Sequence, residues 1–213
     1  MTDRVGAVAS GGLFVAFEGG EGAGKSTQSA LLRDWLVTWG RTVCVTHEPG
    51  GTAVGQQLRQ ILLGHETGEL AARTEALLYA ADRAEHVATV IRPALARGEV
   101  VVTDRYIDSS LAYQGAGRTL AVADVERLSD WATGGLLPDL TVLLDVDPEL
   151  GLSRFAAPAD RLEAEPLAFH RRVREQFLAL AARDPGRYLV IDAARPAQEV
   201  QALTCARLEG LLP

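Results

Sequence analysis

From residue 13 onward, short apolar runs alternate with longer stretches whose apolar positions recur at helical spacing. Leu13–Phe17 is a continuous apolar run, which predicts a buried strand. Thr42–Thr46, Val100–Thr103, Leu140–Leu144 and Tyr188–Ile191 are further apolar or β-branched runs and predict four more strands. Ser26–Thr38 carries Ala30, Leu31, Trp35 and Leu36 close to helical spacing, so a helix should follow the first strand. Helices are also expected over Val54–Leu63, Leu70–Arg97, Ser109–Gln114, Val122–Thr133, Pro148–Arg154, Pro166–Arg183 and Pro196–Leu212, with a turn at Gly64–Gly68. Strands separated by helical segments predict an α/β architecture, a five-stranded parallel sheet with helices on both faces and right-handed crossovers. Chemistry should then sit at the carboxyl ends of the strands. Residues 1–12 read as a loose tail ahead of a single domain spanning 13–213.

The segment joining the first strand to the first helix sharpens this picture. Gly19-Gly20-Glu21-Gly22-Ala23-Gly24-Lys25-Ser26 fits G-x-x-x-x-G-K-[ST] with no mismatch, and Thr27 follows. Glycines let such a loop fold tightly with its N–H groups turned into a phosphate-sized hollow. The lysine reaches the β/γ-phosphates and the hydroxyl ligates Mg²⁺. A helix N-terminus behind the loop adds free N–H groups and a favourable dipole. The expected fold is therefore the three-layer P-loop NTPase type, with ATP phosphates on residues 19–27 and Mg²⁺ on Ser26.

Composition adds two constraints. Lys25 is the only lysine, whereas arginine occurs twenty times, so this position calls for a compact ammonium rather than a planar fork. The formal charge is −7, so no global basic field draws in nucleic acid or membrane, and an anionic substrate must be held by locally placed arginines. Cys44 and Cys205 lack metal-ligand spacing and read as two thiols of a reducing compartment. No signal peptide and no membrane-length apolar run is visible, which predicts a cytoplasmic protein.

Other candidates lie near strand ends. Asp104 closes an apolar strand, where a P-loop enzyme holds the acid that assists Mg²⁺, and Arg105 beside it can grip a phosphate bidentately. The alternatives are a helix-capping role for Asp104 and a salt bridge from Arg105 to Asp104 or Asp108. Tyr79 and Arg83 are four apart on one helix face, suited to stacking a base and binding a phosphate. Glu48 follows the second strand. Glu21 inside the glycine loop should assist a metal or bind a sugar hydroxyl, or else face solvent. Ser109, Ser110, Tyr113 and Gln114 form a polar stretch in which Gln114 can read a base edge and Tyr113 can pack on a sugar. Phe155–Glu165 interrupts two helices and carries Arg161, which suits a mobile lid. The four histidines, His47, His65, His86 and His170, are scattered and suggest neither a metal site nor a general base.

Taken in order, Phe17-Glu18-Gly19-Gly20-Glu21-Gly22-Ala23-Gly24-Lys25-Ser26-Thr27, Glu48-Pro49-Gly50-Gly51-Thr52, Ala81-Asp82-Arg83-Ala84, Asp104-Arg105-Tyr106 and Asp108-Ser109-Ser110-Leu111-Ala112-Tyr113-Gln114-Gly115 closely resemble the bacterial thymidylate kinases. The resemblance covers about Leu13 to Leu212. It implies transfer of the γ-phosphoryl group of MgATP to dTMP by a homodimer. It also implies residue roles: Lys25 and Ser26 on ATP phosphates and Mg²⁺, Arg83 and Arg105 on the acceptor phosphate, and Tyr79 stacking on thymine. Ser110 and Gln114 fall near the base, Tyr113 near the sugar C2′, and Glu21 near the 3′-hydroxyl and metal. Glu48 and Asp104 line the site, and Arg161 is a lid arginine. His47 stands where relatives commonly carry arginine, and the lid is less basic than is usual, which leaves either Arg154 or Arg161 to act alone on the transferring phosphoryl group. A GTP-driven switch is the main rival of another class. Its Asn-Lys-x-Asp guanine reader needs a second lysine, which this chain lacks.

Overall fold

The computed structural model describes residues 11–118, 120–155 and 160–212; most of the expected tail, residues 1–10, and lid residues 156–159 lie outside them. Strands β1 (Leu13–Glu18), β2 (Val43–His47), β3 (Val100–Asp104), β4 (Leu140–Asp145) and β5 (Tyr188–Asp192) form one parallel sheet in the order β2-β3-β1-β4-β5. Each strand ends one residue later than its apolar pattern does. The extra residue is polar in every case: Glu18, His47, Asp104, Asp145 and Asp192.

Side-chain alternation along β1 divides the core. Leu13, Val15 and Phe17 face α1 (Lys25–Thr38) and α9 (Ala197–Glu209), meeting Leu32, Leu36, Val200 and Leu208. Phe14 and Ala16 face the opposite layer, which includes α3 (Ala72–His86), α4 (Arg92–Ala96) and α8 (Leu167–Arg183). Glu18 has the same parity as Phe14 and Ala16, so its carboxyl is directed into that second layer rather than into water. On the outer side of that layer α2 (Ala53–Leu63) packs against α3, and α6 (Val122–Thr133) packs there too. The short α7 (Pro148–Leu152) begins with Asp147 capping Glu149 and Leu150.

Two helices depart from regular α geometry. The expected rod over 70–97 is α3 and α4 joined through a π-helical turn, Val87–Ile91. The expected helix over 109–114 starts earlier, as α5 (Ile107–Ser110), and continues as a wider π-helical turn through Leu111–Gly117. Such turns break the 3.6-residue period, so apolar spacing alone does not announce them. Here the closing Gly117 lets the Phe169 ring of α8 approach to 2.6 Å from where a Cβ would stand, which fastens the turn to α8.

Candidate active site

The loop after β1 is shaped by steric necessity. Gly22 sits at φ 66°, and a Cβ there would collide with the backbone of Gly151. Gly24 caps α1 at φ 89°, and neither an acidic side chain nor a side-chain cap occupies the first turn of that helix. Its leading N–H groups are therefore available to an anion, and the helix dipole reinforces them. The buried Lys25 ammonium is held by the carbonyls of Gly19 (3.2 Å) and Gly20 (2.9 Å). Burial, and then the neighbouring Arg105, push its pKa below the usual lysine range.

A cavity of about 560 Å³ opens over this loop, within the range of small-molecule sites. Residues 21–27 line it, as do Glu48, Tyr79, Asp104, Arg105, Ser109, Ser110, Tyr113 and Gln114. Fifteen of the sequence-selected site residues thus converge from the carboxyl ends of β1, β2 and β3, from α3, and from α5 with the π-helical turn after it. Ser26 Oγ donates to Asp104 Oδ2 at 2.6 Å, across 78 residues of sequence. A hydroxyl and a carboxylate meeting beside a phosphate-binding loop are hard oxygen donors of the kind Mg²⁺ takes. No group of three His, Cys, Asp or Glu among the described residues could hold a metal alone. This donor set fits Mg²⁺ shared with substrate phosphate oxygens.

Arg105 follows β3 at φ 71°, the one described non-glycine residue with positive φ. Its backbone is pinned on both sides: its N–H donates to the Phe17 carbonyl at 2.9 Å, and its carbonyl accepts from Thr103 Oγ1 at 2.9 Å. Next in the chain, the Tyr106 N–H donates to the Glu18 carboxylate at 2.8 Å. Strain of this kind persists only where surrounding bonds over-determine it, and it gathers at functional positions. The guanidinium lies 4.9 Å from the centre of the Tyr113 ring. It donates to Ser109 Oγ, the Gly19 carbonyl and Glu21 Oε1.

Four groups sit differently from the expectations drawn from sequence. Glu21 does not simply face solvent: it lines the cavity, and its Oε1 accepts from Arg105 at 2.7 Å and from the Tyr113 hydroxyl at 2.7 Å. Burial alone would raise its carboxyl, but Arg105, Lys25 and Tyr113 outweigh that and hold it at about 2. The ion pairs anticipated from Arg105 to Asp104 or Asp108 give way to this one, and Asp108 pairs instead with Arg187. Arg83, expected on the acceptor phosphate, is 1% exposed and sits beneath the cleft. Its Nε donates to Glu48 Oε2 (2.8 Å), its Nη1 to Ser110 Oγ (3.0 Å) and its Nη2 to the Tyr106 carbonyl (2.9 Å). Sequence spacing put Arg83 and Tyr79 on one face, and that face is buried: Tyr79 reaches the cavity wall, whereas Arg83 lies beneath it. Arg161 also points away from the cavity, toward Glu75 and the Leu62 carbonyl. Arg154 is the arginine of that region that lines the cavity, donating to the carbonyls of Gly22 and Ala193.

Several supporting residues escaped the sequence reading. Glu18 is fully buried and accepts from Tyr106 N, Ser109 N and Ser109 Oγ. Burial, and then Asp108, raise its pKa to about 7. His86 bridges Glu48 Oε1 and Thr46 Oγ1 at 2.9 and 2.7 Å. Asp82 receives the Gly50 N–H at 2.9 Å and so anchors the loop after β2. Glu75 gathers Gln114, Arg118 and Arg161. A charged residue on a buried helix face was the available signal for Glu75, Asp82 and His86. Their partners lie too far away in sequence for spacing to expose.

The comparisons agree with this architecture. The thymidylate kinase family model matches residues 17–203. A thymidylate kinase from Leifsonia xyli is 58% identical over 202 residues, covering 93% of this chain and 95% of that protein. One from Cutibacterium acnes is 53% identical over 202 residues, covering 95% and 98%. The crystal structure of thymidylate kinase from Ehrlichia chaffeensis superposes with a TM-score of 0.77 at 32% identity, covering 93% of this chain and 99% of that one. The family model and these near full-length relatives establish that the chain belongs to the thymidylate kinase family.

Proposed function

We propose that this chain transfers the γ-phosphoryl group of ATP to the 5′-phosphate of dTMP, giving dTDP and ADP. One observation carries the reading: a single cleft holds a lysine within a phosphate loop and a separately anchored arginine at the end of β3. Two polyanions must be brought into line, and these are two distinct cationic stations. Lys25 and the N–H groups of residues 19–27 serve the donor phosphates. Arg105 serves the acceptor phosphate, its fork held by Glu21, Ser109 and the Tyr113 ring. Because the acceptor is already an anion, no general base is required, and none of the cleft-lining groups needs that role.

Ser26 and Asp104 would hold Mg²⁺, which when bound neutralises charge on the phosphate oxygens. Tyr79, Ser110 and Gln114 form the base end of the cleft, with Tyr113 beside the sugar. Glu48 is a positioning residue that fixes Arg83 and His86. Arg154 is the candidate for a lid-side cation over the transferring group. The reading also includes a homodimer, supported by exposed Val54 and Ile61 of α2 and Leu77 of the adjoining α3. A cytoplasmic location is supported by the free thiols of Cys44 and Cys205.

A coupled assay of ADP release with dTMP, dUMP, dCMP and dGMP tests the function. We expect dTMP to be the best acceptor and dUMP a weaker one, since a methyl pocket discriminates by only about 1–3 kcal/mol. No ADP release with any of the four would overturn the reading. Elution at the mass of a single chain would remove the dimer.

A further inference from the structure

Glu75 of α3 is fully buried and does not line the cleft. Its carboxylate accepts from Gln114 Nε2 at 3.0 Å, from Arg118 Nε and Nη2 at 3.2 Å each, and from Arg161 Nη2. Burial alone would raise its pKa, but these bonds outweigh it and lower the value, so the group is a carboxylate. A carboxylate only accepts hydrogen bonds. Gln114 must therefore turn its NH₂ group toward Glu75, and its carbonyl oxygen is the atom left to present to the cleft that Gln114 lines. A glutamine without such a partner can offer either end.

The neighbouring polar residue is oriented in the complementary sense. Ser110 Oγ accepts from Arg83 Nη1 at 3.0 Å, which leaves the Ser110 hydroxyl proton free to donate. Ser110 also lines the cleft, four residues before Gln114. The base end then offers one acceptor beside one donor. A pyrimidine imide matches this pattern with its ring N3–H and its 4-oxo group. Cytosine presents the reverse, a bare N3 and a 4-amino group. We infer that Glu75 is a specificity-positioning residue: by fixing the amide of Gln114, it makes this wall of the cleft accept imide bases and reject cytosine. The inference rests on the acceptor reading given above. The same carboxylate holds Arg161, and Arg118 also binds Glu165, so the base wall and the root of the lid share one anchor.

The test is the ratio of kcat/KM for dTMP to that for dCMP in wild type and in Glu75→Gln. A glutamine at 75 can donate or accept, so Gln114 is released to turn its NH₂ toward the cleft. The ratio is expected to fall by about tenfold or more, since an unmatched buried polar group costs on the order of 1–3 kcal/mol. The KM for ATP should stay within about twofold, because no ATP-phosphate group is touched. The double variant Glu75→Gln/Gln114→Glu again points an oxygen at the cleft and should recover the preference. A purely structural Glu75 would lower the melting temperature and both acceptors together, leaving the ratio unchanged, and that result overturns the inference. If Glu75→Gln does not fold, dTMP labelled with nitrogen-15 at N3 is bound to the wild type. A slowly exchanging N3–H signal is expected, and a freely exchanging one overturns the inference. Wild type that phosphorylates no dTMP would instead remove the kinase reading itself.

Discussion

Arg105 Nη2 donates to Glu21 Oε1 at 2.7 Å, so the phosphate loop carries its own counter-charge for the arginine at the end of β3. The pairing reconciles two cations in one cleft. Arg105 lowers the pKa of Lys25 and Glu21 raises it, so the carboxylate offsets part of the repulsion. It also restrains the guanidinium, since Arg105 must remain accessible to a phosphate while bonded to protein. Glu21→Gln removes the charge and keeps the shape. The variant should bind inorganic phosphate more tightly, because Arg105 no longer exchanges one anion for another. It should be less stable by about 1–3 kcal/mol through the lost charge-assisted bonds. Weaker phosphate binding, read by calorimetry, would contradict this account of the pair.

The strained backbone of Arg105 separates side-chain function from main-chain geometry. Arg105→Ala and Arg105→Gly both remove the guanidinium, and both should lose roughly three orders of magnitude in dTMP turnover. They should differ in stability. At φ 71° alanine bears a Cβ penalty that glycine does not, so the glycine variant should be the more stable by about 1 kcal/mol. Urea unfolding of the pair measures this, and equal midpoints would show that the left-handed conformation carries no strain.

The two arginines flanking the lid should respond differently. Arg161 is bonded to Glu75 and the Leu62 carbonyl, away from the cavity. Arg154 lines the cavity beside the glycine loop. Arg161→Ala is expected to cost about 1–3 kcal/mol of stability by stripping a donor from a buried carboxylate. Arg154→Ala should leave stability nearly unchanged and lower kcat by about tenfold or more. The opposite assignment of effects would return the lid role to Arg161.

Much of this was legible from residue pattern. All five strands, the helices after them and the glycine loop follow from local rules, because a parallel sheet buries short apolar runs and helices repeat every 3.6 residues. The meeting of Lys25, Ser26, Asp104 and Arg105 in one cleft was equally readable, because each follows a strand end. Arg83 and Arg161 were not. A charge predicts that a partner exists, not whether that partner is a ligand or a buried carboxylate. The pairs Arg83–Glu48 and Arg161–Glu75 span 35 and 86 residues, distances at which spacing carries no signal. Glu18 was hidden differently. It reads as the polar end of a strand, and only the packing of Tyr106 and Ser109 over it makes it a buried acceptor.

That burial gives the protein a predictable dependence on pH. Glu18 has a folded value of about 7 against an ordinary 4.5, raised by burial and then by Asp108. A raised value means that the folded chain keeps a proton the unfolded chain has already released between these limits. The stability is therefore fully present below about pH 4.5 and declines as pH rises toward 7. Asp82, raised to about 6 by burial and then Glu48, acts in the same direction. Glu21 acts oppositely, but only below its ordinary 4.5, because its folded value is about 2. Between pH 5 and 8 the two raised carboxyls lower stability as pH rises, while His47, held below its ordinary 6.5 by burial and then by Arg59, opposes them in the acidic part of that range; Glu18 accounts for at most about 3 kcal/mol. Glu18→Gln retains an oxygen for the Tyr106 and Ser109 N–H groups and cannot ionise. Wild type should melt at progressively lower temperature from pH 5 to 8. Glu18→Gln should match it near pH 5 and exceed it near pH 8. Parallel melting curves for the two proteins across this range would remove Glu18 as the source of the dependence.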